Sequence, residues 1–387
     1  MQETITTTER LREVCAGFAT KPYVTIDTEF VRETTFWPDL CVVQVASDEQ
    51  VALIDPLADG IDLTPLYDLL KNEQVLKVFH AARQDVEIFF HLTGSVPAPL
   101  FDTQVAAMVC GYGDSIAYDA LAKRIAGVHI DKSSRFTNWK IRPLTDKQLD
   151  YAAADVTHLR VIYESLRDAL SQSGRDHWLE QEMAVLTSVE TYDLKPENAW
   201  RRLKLRARRP AEFEITKRLA QWRETQARTN NVPRSRILKD DAIYEIAQQQ
   251  PDDERALGRL RTIYKGVERS AVGKAALEIV AAVKTMDRES LPKVPRPAPS
   301  PEGTGAAVDL LKVLLKLTSE ELEVAQKIIA NAEQLEQIAI HGENADVDAM
   351  KGWRRDVFGN RALELLTGKM AISFQDRKIT TFNREQA

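Results

Sequence analysis

Two carboxylates on one side of a strand-like run are the first feature of this sequence that asks for chemistry. Residues 23–30 read YVTIDTEF. At a two-residue period Val24, Ile26, Thr28 and Phe30 share one face, while Tyr23, Thr25, Asp27 and Glu29 share the other. A carboxylate taken out of water without a partner costs roughly several kcal/mol, so a buried pair needs positive charge beside it. The run contains no Lys or Arg. A hard divalent cation, which takes carboxylate oxygens, is the simplest partner. An edge strand with Asp27 and Glu29 in water is the alternative reading of this stretch alone.

Two more acidic positions complete a constellation. The strand-like VLKVF (75–79) is followed by HAARQD and then by Val86, Ile88, Phe89 and Leu92 at helical spacing, so Asp85 falls in the first turns of a helix leaving a strand end. Such a residue can also serve only to favour the helix dipole. Residues 145–171 form a long helical pattern opened by a Thr145–Gln148 capping box. Within it, YAAADV puts Tyr151 and Asp155 on one face, with alanines between them that let the helix lie close to a sheet. Four carboxylates and one tyrosine drawn from three elements match the demands of a two-cation phosphodiester site.

The elements that must position these groups follow from pattern. A helix over 4–19, strands at 23–30, 40–46, 51–54 and 75–79, and helices near 63–70, 85–92, 103–110, 118–125 and 145–171 describe a mixed α/β sheet with helices packed on it. The loop DKSSRFTNWKIRPL (131–144) is basic with an aromatic inside it, which suits a nucleic-acid strand. Lys132 and Arg142 are candidate phosphate contacts and Trp139 a candidate base contact; a surface loop pinned by a buried Trp139 is the plainer reading. From 180 onward the pattern is helical. Helices near 180–192, 213–228, 240–250, 254–260 and 270–283 suggest a bundle. The Pro-rich 291–307 reads as a linker. Helices over 308–317, 319–330 (opened by a Thr318–Glu321 capping box), 332–340 and 353–366 follow, then a basic tail, 369–382, without an assignable element.

Charge is unevenly spread. Residues 1–195 hold 18 Lys/Arg against 30 Asp/Glu, or −12; residues 196–300 hold 23 against 14, or +9. A basic middle beside an acidic first half fits a nucleic-acid-holding module next to a cation-binding one. Nothing approaches a membrane span, and the polar N-terminus has no signal-peptide pattern. Three scattered cysteines, Cys15, Cys41 and Cys110, make no disulfide framework or zinc site. The expectation is a reduced, cytoplasmic protein.

With these motifs in place, the sequence resembles the DEDD exonucleases of the ribonuclease H-like fold, in the subgroup with tyrosine in its last motif, and within it the bacterial ribonuclease D family. IDTEFVRETTFWP, FHAARQDVEIF, DTQVAA, DKSSRFTNW and RPLTDKQLDYAAADV carry the resemblance. NVPRSRILKDDAIYEIA is similar to the HRDC module of nucleases and helicases. The resemblance implies an α/β ribonuclease H-like catalytic domain over 1–195, an HRDC domain over 208–290, a linker at 291–307 and a diverged HRDC-like bundle with a tail over 308–387. It implies that Asp27, Glu29, Asp85 and Asp155 hold two divalent cations, Mg²⁺ or Mn²⁺, and that Tyr151, whose ordinary pKa is ~10, orients the attacking water. The implied activity is 3′→5′ exoribonuclease action releasing 5′-mononucleotides, on tRNA precursors or other structured RNA, by a monomer. His80 is read as a structural or substrate-contacting group. A DNA-directed exonuclease and a non-catalytic RNA-binding protein on the same fold are the competing classes; matched RNA and DNA digestions, and mononucleotide release in Mg²⁺ or Mn²⁺, separate them.

Overall fold

The computed structural model describes residues 2–295 and 300–383. The chain opens with β1 (Gln2–Ile5), α1 (Thr8–Phe18), β2 (Tyr23–Val31), β3 (Asp39–Ala46), β4 (Val51–Ile54), α2 (Thr64–Lys71), β5 (Leu76–Phe79), α3 (Arg83–Thr93), β6 (Leu100–Asp102), α4 (Thr103–Val109), α5 (Tyr118–Ile125), α6 (Asp146–Ser173) and α7 (His177–Thr187). The sheet has six strands in the order β1-β4-β3-β2-β5-β6. β3 and β4 are antiparallel, whereas β1 with β4, β2 with β5 and β5 with β6 are parallel. This is the mixed α/β sheet expected. The short β1 and β6 were not legible in the sequence, because four- and three-residue strands carry almost no periodicity. β2 lies inside the sheet, and Val24, Thr25 and Ile26 are all fully buried, so it is covered on both faces and is not an edge strand.

Local chemistry sets the helix ends. Thr7 caps α1, Asp102 caps α4, and Thr145 with Gln148 forms the capping box that opens α6. α6 stops at Gly174 in the left-handed conformation (φ 66°), where a side chain would be strained.

Contact clustering divides the chain into two units, the first made of 1–29, 41–188 and 298–387, the second of 30–40 and 189–297. The second unit contains α8 (Pro210–Thr229), α9 (Arg234–Ile237), α10 (Asp240–Gln249), α11 (Glu254–Leu257) and α12 (Ala271–Lys284). Its core is Ile215, Leu219, Ile243, Ile246, Leu257, Val280 and neighbours. Pro210 begins α8 and Ser270 caps α12.

The last segment belongs to the first unit and comprises α13 (Thr304–Leu322), α14 (Gln326–Ile329), α15 (Ala332–His341), α16 (Gly352–Arg354), α17 (Asn360–Leu366), β7 (Met370–Gln375) and β8 (Lys378–Asn383). Its Leu311, Leu314, Ile328, Ile338 and Phe358 share one apolar core with Ala106 and Val109 of α4, Ile162 and Leu166 of α6, and Trp178 of α7. Trp178 and Trp353 stack face to face at 4.0 Å. Arg354 donates to the Ile328 carbonyl at 2.8 Å and pairs with Glu182 of α7. Packing on the first domain is therefore what these helices do.

Three expectations need correction here. The Thr318–Glu321 capping box does not exist: α13 runs unbroken through Thr318, which is fully buried, and Arg361 ties Thr318 (3.2 Å) to Glu321 (2.6 Å) instead. No Gly or Pro interrupts 306–322, so nothing stops the helix there. The linker read at 291–307 ends earlier, since α13 starts at Thr304; its residues 296–299 lie outside the described residues. The tail 369–382 is a β-hairpin whose turn residues Asp376 and Arg377 both have positive φ (52° and 64°), the primed geometry that matches strand twist. Among the described residues no helix is long and apolar enough to cross a membrane.

Replacing Trp353 with Ala removes one of two stacked indoles from this core and is expected to destabilise the first unit by about 3–5 kcal/mol. A matching fall in the urea midpoint of that unit checks it; an unchanged midpoint refutes the shared core.

Candidate active site

The sheet and two helices bring the acidic groups together. Asp27 and Glu29 project from β2 toward α6, which is drawn onto the sheet by Thr25, whose hydroxyl donates to the Val156 carbonyl at 2.8 Å. Ala152 and Ala153 are buried beneath it, so the helix comes close without a side chain to displace. One oxygen each of Asp27, Glu29 and Asp155 lies within 4.8 Å of the others. Asp85, in the first turn of α3, stands outside that tight trio, and one of its oxygens accepts a hydrogen bond from Thr28. The turn that presents Asp85 is held by Asp102, which accepts from the Ala81 N–H (3.0 Å) and the Ala82 N–H (2.9 Å). Ala81 adopts a left-handed φ of 59°, which this double contact stabilises.

All four carboxyls are pushed toward the neutral form. Burial raises Asp27 well above its ordinary range, and the charges of Asp85, Asp155 and Glu29 add to it. Glu29 is pushed to about 9 by burial and by Asp155 and Asp85, with Arg135 opposing. Asp85 and Asp155 are each pushed to about 7, chiefly by burial; Thr28 opposes at Asp85, Tyr151 and Arg135 at Asp155. Burial and the same carboxylates hold the Tyr151 phenol protonated. An all-oxygen donor set with this much uncompensated charge fits a hard divalent cation. Asp27, Glu29 and Asp155 would hold it, with Asp85 alongside.

Comparison with known proteins identifies the family. A 3′-5′ exonuclease family profile matches residues 2–171, and an HRDC profile matches residues 212–283. Ribonuclease D of Nitrobacter hamburgensis is 51% identical, over 98% of this chain and 99% of that protein. The chain belongs to the ribonuclease D family. The family's protein from Jannaschia sp. is 49% identical over 98% of this chain and 99% of its own length. The solved structure of Escherichia coli RNase D, an exoribonuclease involved in structured RNA processing, superposes with a TM-score of 0.85 at 29% identity, covering 95% of this chain and 99% of that one. The exonuclease domain of this family uses divalent metal, which the acidic cluster suits.

The remaining expected residues do not all join the carboxylates. His80 has both ring nitrogens occupied, Nδ1 by the Thr103 hydroxyl at 3.0 Å and Nε2 by the Ile116 carbonyl at 3.2 Å, and burial lowers its pKa. It is a neutral brace between the end of β5, α4 and the segment before α5. Lys132 pairs with Asp119 at 2.7 Å. Trp139 is 2% exposed and packs against Tyr151 with ring centroids 6.2 Å apart, so it backs the tyrosine and offers no open face to a base. Arg142 is consumed internally: it grips both oxygens of Asp55 (2.6 and 2.7 Å) and the carbonyls of Trp139, Ile141 and Cys41. Solvent-facing members of this loop include Phe136, 90% exposed, and Arg135, whose guanidinium lies 5.1 Å from that ring and acts electrostatically on Glu29 and Asp155. Residue type gave no means of telling Trp139 from Phe136. Thr28 and Asp102 were likewise not legible as neighbours of the site, since their roles depend on contacts across the fold, and Arg135 was one of several loop cations with nothing to single it out.

Arg142→Ala removes the guanidinium that bridges Asp55 and the carbonyls of Trp139, Ile141 and Cys41. A stability loss of about 1–3 kcal/mol is expected, read as a lower urea midpoint, with the salt dependence of RNA binding unchanged. A shallower salt slope at full stability would mark Arg142 as a phosphate contact.

Proposed function

We propose that this chain is a metal-dependent exoribonuclease that removes 5′-mononucleotides from RNA 3′ ends, acting as a cytoplasmic monomer on tRNA precursors and other structured RNA. The observation that carries this reading is the convergence of Asp27, Glu29 and Asp155, with Asp85 beside them and Tyr151 against Asp155. Two divalent cations, Mg²⁺ or Mn²⁺, held by the four carboxylates would acidify the attacking water and offset charge on the departing 3′ oxygen. The protein's own part is positioning. Tyr151 stays protonated, donates to Asp155 and leaves its oxygen lone pairs to orient water. Arg135 brings the nearest positive charge that a phosphate can use, and Phe136 a ring on which a base can stack. The basic second unit, carrying most of the +9 of residues 196–300, adds attraction for the RNA backbone. We read 308–387, a diverged HRDC-like segment with its hairpin tail, as a buttress for the catalytic domain.

Asp27→Asn should lower mononucleotide release on the order of 10²–10³-fold, the scale of a lost electrostatic stabiliser, while RNA affinity measured in EDTA stays within about twofold. Full, EDTA-sensitive activity in the variant would refute the assignment. Arg135→Ala is expected to weaken RNA binding and to reduce the salt slope by about one unit; an unaltered slope removes Arg135 from the substrate path. Matched single-stranded RNA and DNA substrates distinguish this activity from a DNA exonuclease.

A further inference from the structure

Asn231 lies in the NNVPRSR turn after α8, with a left-handed φ of 47°. Its side-chain oxygen accepts two backbone hydrogen bonds, from the Phe36 N–H at 3.1 Å and the Trp37 N–H at 3.0 Å. The ring of Phe36 is 4% exposed and has the Arg234 guanidinium 4.5 Å from its centroid; Arg228 lies 5.7 Å from the rings of both Phe36 and Trp37. These arginines are fixed from behind by the buried Glu224, which pairs with Arg234 and, at 3.0 Å, with Arg228. On the loop itself, Arg32 donates to the Phe36 carbonyl at 3.0 Å and closes the turn.

The gripped segment has a particular place in the chain. It joins β2 to β3, its neighbour in the sheet, and begins three residues after Glu29. The helical module therefore holds the loop that continues the strand bearing Asp27 and Glu29. Arg228 and Arg234, on either side of the NVP run, are both engaged in this grip.

We propose that Asn231, with Arg228 and Arg234, is a positioning latch: the HRDC-type module fixes the β2–β3 loop and so holds Asp27 and Glu29 in register for hydrolysis. The proposal rests on the nuclease reading above. It assigns the module a part in turnover, beyond retention of RNA. A latch of this kind acts on kcat, because the free and RNA-bound enzyme need the same strand geometry, whereas an RNA contact acts on KM.

Asn231→Gly keeps the left-handed backbone and deletes the acceptor; Asn231→Asp keeps both. In the full-length protein, Asn231→Gly is expected to expose the Phe36 and Trp37 amides to hydrogen exchange and to lower kcat on a short oligoribonucleotide by about tenfold or more, with KM within about twofold. Asn231→Asp should preserve amide protection and kcat. If Asn231→Gly does not fold, Arg234→Met, which removes the guanidinium from Phe36 while keeping a long side chain, should lower kcat in the same direction. Unchanged kcat despite lost amide protection overturns the latch, as does a raised KM with kcat intact. A wild-type chain that releases no mononucleotides overturns the nuclease reading itself, whereas an active wild type matched by an equally fast Asn231→Gly overturns the latch alone.

Discussion

The structure is organised around a repulsion. Three carboxylates meet within hydrogen-bonding distances of a common point, a fourth stands beside them, and burial strengthens every pairwise conflict. No fold assembles such a group for stability. It persists because the sheet and α6 are held by other means: the Thr25 bond to the α6 backbone, the alanines beneath that helix, the Asp102 clamp under α3 and the Arg142–Asp55 clamp below the following loop. Each of these contacts lies outside the acidic trio. The scaffolding thus holds the cluster together against its own repulsion, to which Asp102 adds at Asp85, and a cation entering the site would convert that repulsion into affinity.

This arrangement explains why polar residues near the site serve as braces. His80 spends both nitrogens on the chain, Trp139 backs Tyr151 from the interior, and Arg142 ties the loop to β4's end. A water-positioning phenol and a set of cation ligands need fixed geometry more than they need additional charge. The surface this loop offers a nucleic-acid strand includes an exposed phenylalanine with an arginine beside it.

Much of this was legible in the sequence, and for identifiable reasons. β2 shows itself by alternation and α6 by a capping box that the structure reproduces at Thr145 and Gln148. Asp27 and Glu29 stood out as two carboxylates on one face of a strand, whereas Asp85, Asp155 and Tyr151 took their expected roles from the family resemblance. What stayed hidden was whatever depends on three-dimensional neighbours. β1 and β6 are too short to have a period, and α13 runs through a Thr–Glu pair that mimics a start signal because Arg361 reaches it from elsewhere. Arg142 looks like any loop arginine until Asp55, 87 positions away, is seen to face it. The same holds for Asn231, whose acceptor role is set by a loop nearly two hundred residues earlier in the chain.

The central claim is that the acidic cluster is unfavourable by itself and becomes favourable with a divalent cation. Melting temperatures of the wild type and of Asp27→Asn, each with EDTA and with Mn²⁺, test it most directly. The account predicts that without metal the variant melts at or above the wild type, since an amide relieves the repulsion at nearly the same volume, and that Mn²⁺ raises the wild type far more than the variant. A variant that is less stable without metal, together with equal Mn²⁺ shifts in both proteins, would contradict it.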